Sequence, residues 1–180
     1  MLFVSRRAFA LLAASVLGAC AAIPEAPSPP PGGFELAGRI AVRYGKDGAS
    51  GRIVWRHSRE SDDLLITSPI GQGIARISRE GEEFRLATGN GEYRAHDAES
   101  LTERALGWRL PLGGLPDWVQ GRASPGESAE WRRDAEQRPL ELRQDGWRVE
   151  YEEFRDGRPA RLRMSRQDLE IRLVVDRWTE

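Results

Sequence analysis

The segment RLRMSRQDLEIRLVVD, residues 161–176, decides the fold class because its apolar residues recur at every second position. Charged side chains occupy most of the positions between them. Successive side chains of a strand point to opposite faces, so the pattern predicts half-buried β-strands. A register slip of one residue would expose the whole apolar set, so the pairing is strongly specified. The apolar positions are Leu162, Met164, Leu169, Ile171, Leu173 and Val175.

The same alternation recurs along the chain from residue 34 onward, and Gly-rich turn sequences separate the alternating runs. Examples of these turns are 45–48, 89–91 and 156–157, whose residues tolerate a positive φ. Short turns join antiparallel neighbours, so the sequence predicts a meander of roughly nine to eleven strands with one apolar and one solvated face. Parity assigns to the apolar, concave face Ile40, Val42, Ile53, Trp55, Ile77, Phe84, Leu86, Trp147, Val149, Leu162, Ile171 and Leu173.

Two short helices interrupt the strand pattern in the middle of the chain. Asp97 is placed to cap the first and Gly107 to end it. Pro116 suits the first turn of the second helix, and Gly121 is placed to close it. Two short helices can cover only part of a large apolar sheet. The sequence therefore predicts a mainly β protein, an open antiparallel half-barrel whose short helices form a lid over an apolar cavity.

The first residues have the organisation of an export signal. Arg6 and Arg7 precede an apolar stretch, residues 8–17, which is shorter than the ~20 residues that cross a bilayer. The stretch ends in Leu17-Gly18-Ala19-Cys20, which resembles the lipobox of bacterial lipoproteins. That resemblance implies lipidation of Cys20, the only cysteine of the chain. Ala21 stands where an aspartate usually marks retention at the inner membrane, which points to the outer membrane.

The organisation of the chain follows from this signal. Residues 1–19 are predicted to be a lipoprotein signal peptide, and 20–33 a lipidated cysteine with a Pro-rich tether. Residues 34–180 are predicted to be one folded domain. The tether contains five prolines and no periodic apolar face, so it is not expected to form a packed element.

The composition argues against several functional classes. The chain has 27 Lys and Arg against 28 Asp and Glu, so no net positive field attracts nucleic acid. His57 and His96 lack partners at zinc spacing, which predicts lone loop or surface histidines and no metal site. No serine lies in a G-x-S-x-G motif, and no phosphate-binding loop follows Gly71-Gln72-Gly73. We therefore expect no catalytic residues, no cofactor and no enzymatic activity.

One turn carries a large apolar residue. A buried strand, Leu64 to Thr67, is predicted to end at Ser68-Pro69-Ile70-Gly71, which places Ile70 in the connection to the next strand. An isoleucine at a turn is costly to leave in water. From the residues alone, Ile70 either folds back onto the end of the barrel or is exposed for contact with another apolar surface.

The ordered set of motifs resembles the LolB family of outer-membrane lipoprotein receptors. After the lipobox, the motifs are GRIAV at 38–42, LITSPIG at 65–71, LGWRLPL at 106–112, LPDWVQG at 115–121, QDGWRVEY at 144–151 and RLVVDRW at 172–178. The resemblance implies that acyl chains of lipoproteins occupy the cavity lined by the twelve concave residues. It implies a LolA-like periplasmic carrier as partner and delivery to the inner leaflet of the outer membrane. It also identifies Ser68, Pro69, Ile70 and Gly71 as a membrane-insertion loop.

Two other classes stay open at this point. One is a passive outer-membrane scaffold lipoprotein whose apolar face is fully packed and whose partners bind outside. The other is a lipid-modifying hydrolase, which the missing nucleophile and base disfavour. We expect the protein to be a monomer.

Overall fold

A computed structural model describes residues 33–179, which form one 11-stranded antiparallel sheet with two short helices. The predicted signal peptide, Cys20 and all of the tether except Gly33 lie outside the described residues. Within them, no helix is long and apolar enough to cross a membrane. The elements are β1 (Phe34–Tyr44), β2 (Asp47–His57), β3 (Ser61–Thr67), β4 (Gly73–Glu80), β5 (Glu83–Thr88), β6 (Gly91–Ala95), α1 (Ala98–Leu106), α2 (Leu115–Trp118), β7 (Glu130–Arg133), β8 (Pro139–Gln144), β9 (Trp147–Arg155), β10 (Arg158–Arg166) and β11 (Leu169–Thr179).

The strand order is two meanders joined at their ends. The sheet runs β6-β5-β4-β3-β2-β1-β11-β10-β9-β8-β7, so the first and last strands pair at its centre. Ile40 lies opposite Leu173, and Val42 lies opposite Ile171. The prediction of a single meander is therefore wrong. The chain between β6 and β7 contains both helices instead of a hairpin turn, so these two strands do not pair and form the edges of the sheet.

The core lies on the concave face, as the parity of the sequence predicts. Eleven of the twelve residues assigned to that face are buried, and Phe84 is partly buried against the same cluster. The run from Leu64 to Thr67 differs from the expected fully buried strand, because Leu65 is exposed. Leu65 lies opposite Val54 on the outer side of the sheet, so β3 is half-buried like its neighbours.

The helices connect the two meanders across the concave face. The Asp97 side chain accepts hydrogen bonds from the backbone N–H groups of Glu99 and Ser100, and Gly107 ends α1 at φ 80°. α2 is one turn and ends at Trp118, before the predicted end at Gly121. The Trp118 carbonyl accepts hydrogen bonds from the Gly121 N–H at 3.0 Å and from the Tyr151 hydroxyl of β9 at 3.1 Å, so a local turn continues to Gly121 while the sheet supplies a second donor.

Candidate functional site

An apolar cavity of about 270 Å³ lies between α1 and the strands of the first meander. Strands β1 to β4 supply one side, and the end of α1 with the residue after its cap supplies the other. Ser50 is the one polar side chain in this wall. The lining residues are Ile40, Val42, Ala49, Ser50, Gly51, Ile66, Ile74, Ala75, Ala105, Leu106 and Trp108.

Only Ile40 and Val42 of the twelve predicted lining residues border this cavity. Trp147 lines a neighbouring pocket, described below. The remaining nine lie elsewhere in the core cluster, because apolar residues of α1, α2 and the segment between them pack on the same face. These nine are Ile53, Trp55, Ile77, Phe84, Leu86, Val149, Leu162, Ile171 and Leu173.

Small residues that sequence parity did not single out create the space. Gly51 lies opposite Ile40 and Ala49 opposite Val42 in the β1–β2 register, so large side chains face small ones across the pair. Ala75 and Ala105 contribute further short side chains to the wall. The signal was present in the sequence as Ala49-Ser50-Gly51, which continues the inward parity of Ile53 without a large side chain.

The turn after β3 presents Ile70 to solvent. The Ser68 N–H donates to the Gln72 carbonyl at 2.7 Å, and the Gly71 N–H donates to the Ser68 carbonyl at 2.9 Å. The Ser68 hydroxyl also accepts from the Gln72 N–H at 3.1 Å, and Gly71 adopts φ 89°. These bonds close the turn around residues 69–71 and leave Ile70 82 % exposed at its tip. The alternative in which Ile70 folds back onto the barrel is wrong.

The turn stands at the rim of the apolar cavity. Ile66 precedes it, Ile74 follows it, and both residues line the cavity. Ile74 is 40 % exposed and is displaced from regular pairing by an irregularity at the end of β3. A Cβ on Gly51 would lie 2.3 Å from the Thr67 carbonyl oxygen, so a glycine is required where β2 approaches the base of this turn. The Ile70 turn therefore connects two strands that both line the apolar cavity, and the partly exposed Ile74 follows four residues after Ile70.

The charged surroundings of the turn are mostly basic. Arg52 lies opposite Thr67, is exposed, and makes no ion pair within residues 33–179. Arg76 forms a bidentate pair with Asp63 at 2.7 and 2.9 Å. Between Asp63 and Glu80 the sequence carries no acidic residue. An anionic partner would meet no repulsion from this segment.

His57 and Asp62 form the grouping most similar to catalytic machinery, with Nδ1 and Oδ1 2.7 Å apart. His57 lies in β2 and is partly buried, so its assignment as a lone loop or surface histidine is wrong. Burial alone raises the pKa of Asp62, but hydrogen bonds from His57, Arg79 and Trp55 hold it below the ordinary value. The Ser58 hydroxyl is bound to Ser61. These hydrogen bonds hold β2, β3 and β4 together at the end of the strands opposite the Ile70 turn, which is a structural role.

Comparison with known proteins gives consistent matches along the described domain. The family model described as outer membrane lipoprotein LolB matches residues 33–178. A protein named outer-membrane lipoprotein LolB from Thiobacillus denitrificans is 41 % identical over 169 residues, covering 90 % of this chain and 91 % of its own. A relative of the same name from Nitrosomonas europaea is 41 % identical over 152 residues, covering 81 % of this chain and 72 % of its own.

A solved structure gives a likeness in fold alone. The crystal structure of a LolA superfamily protein from Nitrosomonas europaea aligns with a TM-score of 0.50 and 14 % identity, covering 81 % of this chain and 85 % of that one. The match extends over both meanders, since together they make up most of the described residues. The open antiparallel sheet with few short helices is thus shared with that superfamily.

Proposed function

This chain belongs to the outer membrane lipoprotein LolB family, and from that premise we propose that it is an outer-membrane receptor that accepts lipoproteins from a LolA-like carrier and inserts them into that membrane. The family match spans the described domain almost completely. The relatives that cover most of the chain carry the name of outer-membrane lipoproteins. The cargo's acyl chains, the periplasmic carrier and the inner leaflet of the outer membrane are the three partners of the proposal.

The observation that carries the proposal is that the turn with the exposed Ile70 connects two strands that line the apolar cavity. An acyl chain does not cross water readily, because each exposed methylene costs about 0.8 kcal/mol. A receptor therefore needs an apolar compartment and an apolar contact with the membrane on the same side of the molecule. In this chain β3 and β4 both line the apolar cavity, and the turn between them carries the exposed Ile70.

The cavity must widen to hold cargo. Its volume of about 270 Å³ lies below the common ~300–1,000 Å³ of sites for drug-sized ligands, and a lipoprotein carries several long chains. The strands are tied by ladder hydrogen bonds, whereas the wall formed by Ala105, Leu106 and Trp108 is only half-buried. We propose that this wall moves when acyl chains are taken up. The other predicted lining residues would join the site only as the wall opens.

The segment Ser68-Pro69-Ile70-Gly71 is proposed to be the membrane-insertion loop. Burying one isoleucine in lipid gains roughly 2 kcal/mol, which is too little to anchor a protein but enough to bias the orientation of a tethered domain. Ser68 and Gly71 shape the turn, and Ile70 supplies the apolar tip. The hydrogen bonds that close the turn do not involve the Ile70 side chain.

The anchor is proposed to be Cys20, acylated after removal of residues 1–19, with the domain on the periplasmic face. Cys20→Ala should release the protein from membranes into the soluble fraction while the domain from residue 34 onward still folds. Fractionation of cells, with thermal unfolding of the released protein, measures both outcomes. A released but unfolded domain would contradict the separation of anchor from core.

No cofactor or nucleotide is needed for the proposed transfer, and we propose that the protein is not an enzyme. Cargo moves from a carrier cavity to a receptor cavity and then to a bilayer, and no covalent bond changes. Asp62 of the His57–Asp62 pair is also bound by Arg79 and Trp55, which makes the pair part of a structural network. The energetic direction comes from the larger apolar burial available in the membrane.

A transfer assay tests this function. The carrier is loaded with a radiolabelled lipoprotein and mixed with the soluble Cys20→Ala form, and the two proteins are then separated by an affinity tag on the receptor. We expect label to move to the receptor and then to added liposomes. A well-folded receptor that takes up no label would overturn the proposal.

The same assay decides the scaffold alternative, which one observation favours. Most of the concave face is closely packed by the two helices and the segment between them, as expected for a protein with a fixed core. A scaffold would bind partners on its outer side and would not compete with a soluble acyl-chain probe. The receptor should lose transfer when such a probe occupies its cavity.

A further inference from the structure

A second pocket of about 330 Å³ adjoins the apolar cavity at the end of the strands where β1 meets β11. Tyr44, Leu169 and Arg166 continue the inward parity of β1, β11 and β10, so the pocket lies on the concave side. Charged residues line this pocket and not the first cavity: Glu103, Arg109 and Arg166 lie beside the aromatic residues Tyr44, Trp108 and Trp147.

Trp147 in this wall is buried and has an unused donor. The residue is 1 % exposed, and its indole Nε1 makes no hydrogen bond within the described part of the chain. The two other fully buried tryptophans do have acceptors: Trp55 donates to Asp62 and Trp118 to Gln144, each at 2.9 Å. Buried polar groups are normally hydrogen-bonded, so this exception in a pocket wall is a donor that an acceptor from outside the protein could use once the wall moves.

The two arginines in the pocket add further donors, and the one carboxylate in its wall, Glu103, is paired with one of them. Arg109 is paired with Glu103 at 2.7 Å, and Arg166 lies 3.6 Å from Glu99. A Cβ on Gly146 would lie 3.5 Å from Nε of Arg166, which places this guanidinium beside the turn that precedes Trp147. Each guanidinium has five N–H groups, more than one carboxylate can occupy. Donor groups therefore outnumber the acceptors of this wall, which are the Glu103 carboxylate and the Gln167 amide oxygen, and the excess favours a ligand rich in acceptors.

The two pockets share Trp108. Movement of this one half-buried side chain would join an apolar compartment to one rich in donors. A molecule that matches such a joint site has apolar chains at one end and uncharged acceptor oxygens next to them.

We propose that this second pocket binds the carbonyl groups that link acyl chains to the N-terminal cysteine of the lipoprotein cargo, with Trp147 as a donor. The inference rests on the receptor function proposed above. The ester carbonyls of an acylated glycerol accept hydrogen bonds and cannot donate them. They lie directly next to the apolar chains, as the second pocket lies next to the first. The proposal makes Trp147 a binding residue for the cargo's linkage, in addition to its place in the core.

A comparison of an ester-linked and an ether-linked ligand tests the proposal on the full domain. The probes are two synthetic lipopeptides with short chains that keep them monomeric, one a diacylglyceryl ester and the other its dialkyl ether twin without carbonyls. Trp147→Phe removes the N–H and keeps an aromatic ring. We expect this variant to bind the ester roughly two- to tenfold more weakly than the parent, relative to the ether, by titration calorimetry.

Trp178→Phe is the matched control, because the Trp178 indole N–H also lacks a partner within residues 33–179 but lies in a different pocket at the opposite end of the strands. It should leave the ester-to-ether ratio at the parent value. The ratio removes any general loss of packing caused by the smaller ring, since both ligands would experience it equally. An unchanged ratio in Trp147→Phe would overturn the proposed subsite while leaving the receptor function intact. A parent protein that binds neither lipopeptide would overturn the receptor function itself.

Discussion

The two halves of the concave face are covered in different ways. In the C-terminal half, Trp118 of α2 donates to Gln144, whose amide group donates in turn to the Ser124 carbonyl at 2.8 Å. Tyr151 reaches the Trp118 carbonyl, and burial raises the pKa of this phenol, so it stays a donor. In the N-terminal half, the end of α1 covers the strands through half-buried residues and leaves the cavity.

Under the proposed function, this difference would give one sheet a fixed and a movable part. Polar side chains with complete partners hold a unique arrangement, because breaking any bond leaves a buried group unsatisfied. Apolar contacts at the end of α1 are non-directional and can be exchanged for contacts with an acyl chain. The fixed half would then support the carrier-binding and membrane-binding states alike, while the other half opens.

Trp118→Ala should give the largest loss in stability. It removes a fully buried indole and one of the two hydrogen bonds that the Gln144 side-chain carbonyl accepts, the other coming from the Ser124 N–H, so we expect a loss of about 3–5 kcal/mol in the free energy of unfolding. Urea denaturation monitored by far-ultraviolet circular dichroism measures it. Trp108→Ala, in the other half, should cost about 1 kcal/mol because Trp108 is only half-buried. Equal losses would show that both halves are packed alike.

Asp62→Asn tests whether the strands of the N-terminal half are firmly held, so that only the end of α1 above them is weakly packed. Asp62 is buried and bound by three side chains, so we expect a loss of about 3 kcal/mol at pH 7. The native pKa of Asp62 is lowered, so this stabilisation is present above the unfolded value near 4 and disappears as the pH falls through the lowered native value. The unfolding free energies of parent and variant should therefore converge as the pH falls below about 4 and through the lowered native pKa of Asp62. A difference that does not shrink as the pH falls in this range would contradict the charge-based origin.

Ala105→Leu should change stability least while affecting the cavity directly. Ala105 lies in the cavity wall at the end of α1, where leucine is a good helix former, so we expect a change within about 0.5 kcal/mol. The added side chain should occupy space that acyl chains require and weaken binding of a fluorescent fatty-acid probe several-fold. Ala87→Leu, an exposed site on the outer side of β5, is the control and should bind as the parent does.

The sequence predicts the faces of the sheet better than its order. The strict alternation from Leu169 to Val175 identifies which side chains are buried, because a strand places alternate residues on opposite sides. This alternation does not show which strands are neighbours in the sheet, except where a short turn joins two consecutive strands into a hairpin. β1 can pair with β11 because the helical segment between β6 and β7 separates those two strands. This is a long-range effect, which a local sequence pattern does not encode.

The part of the candidate site that a short stretch of sequence determines, the turn at residues 68–71, was predictable. Ser68, Pro69 and Gly71 predict the tight turn that carries Ile70, whereas the outward position of its side chain was left open by the sequence and is decided by its 82 % exposure in the structure. The cavity is different, because its volume is what remains after α1, α2 and the strands have packed. Parity lists every inward side chain but does not identify Ala49, Gly51 and Ala75 as the places where neighbouring elements fail to fill the space.

The most direct test of the account is delivery of cargo by Ile70→Glu, with Ile70→Leu as the matched control. Each variant is loaded from the carrier, and transfer of a labelled lipoprotein to liposomes is then timed. We expect Ile70→Glu to fold and load like the parent, since its side chain is 82 % exposed, and to deliver roughly tenfold to thirtyfold more slowly, the equivalent of losing about 2 kcal/mol of burial. Ile70→Leu should deliver at nearly the parent rate. Unchanged delivery by Ile70→Glu, or a loss of loading with normal delivery, would contradict the role of this turn in contact with the membrane.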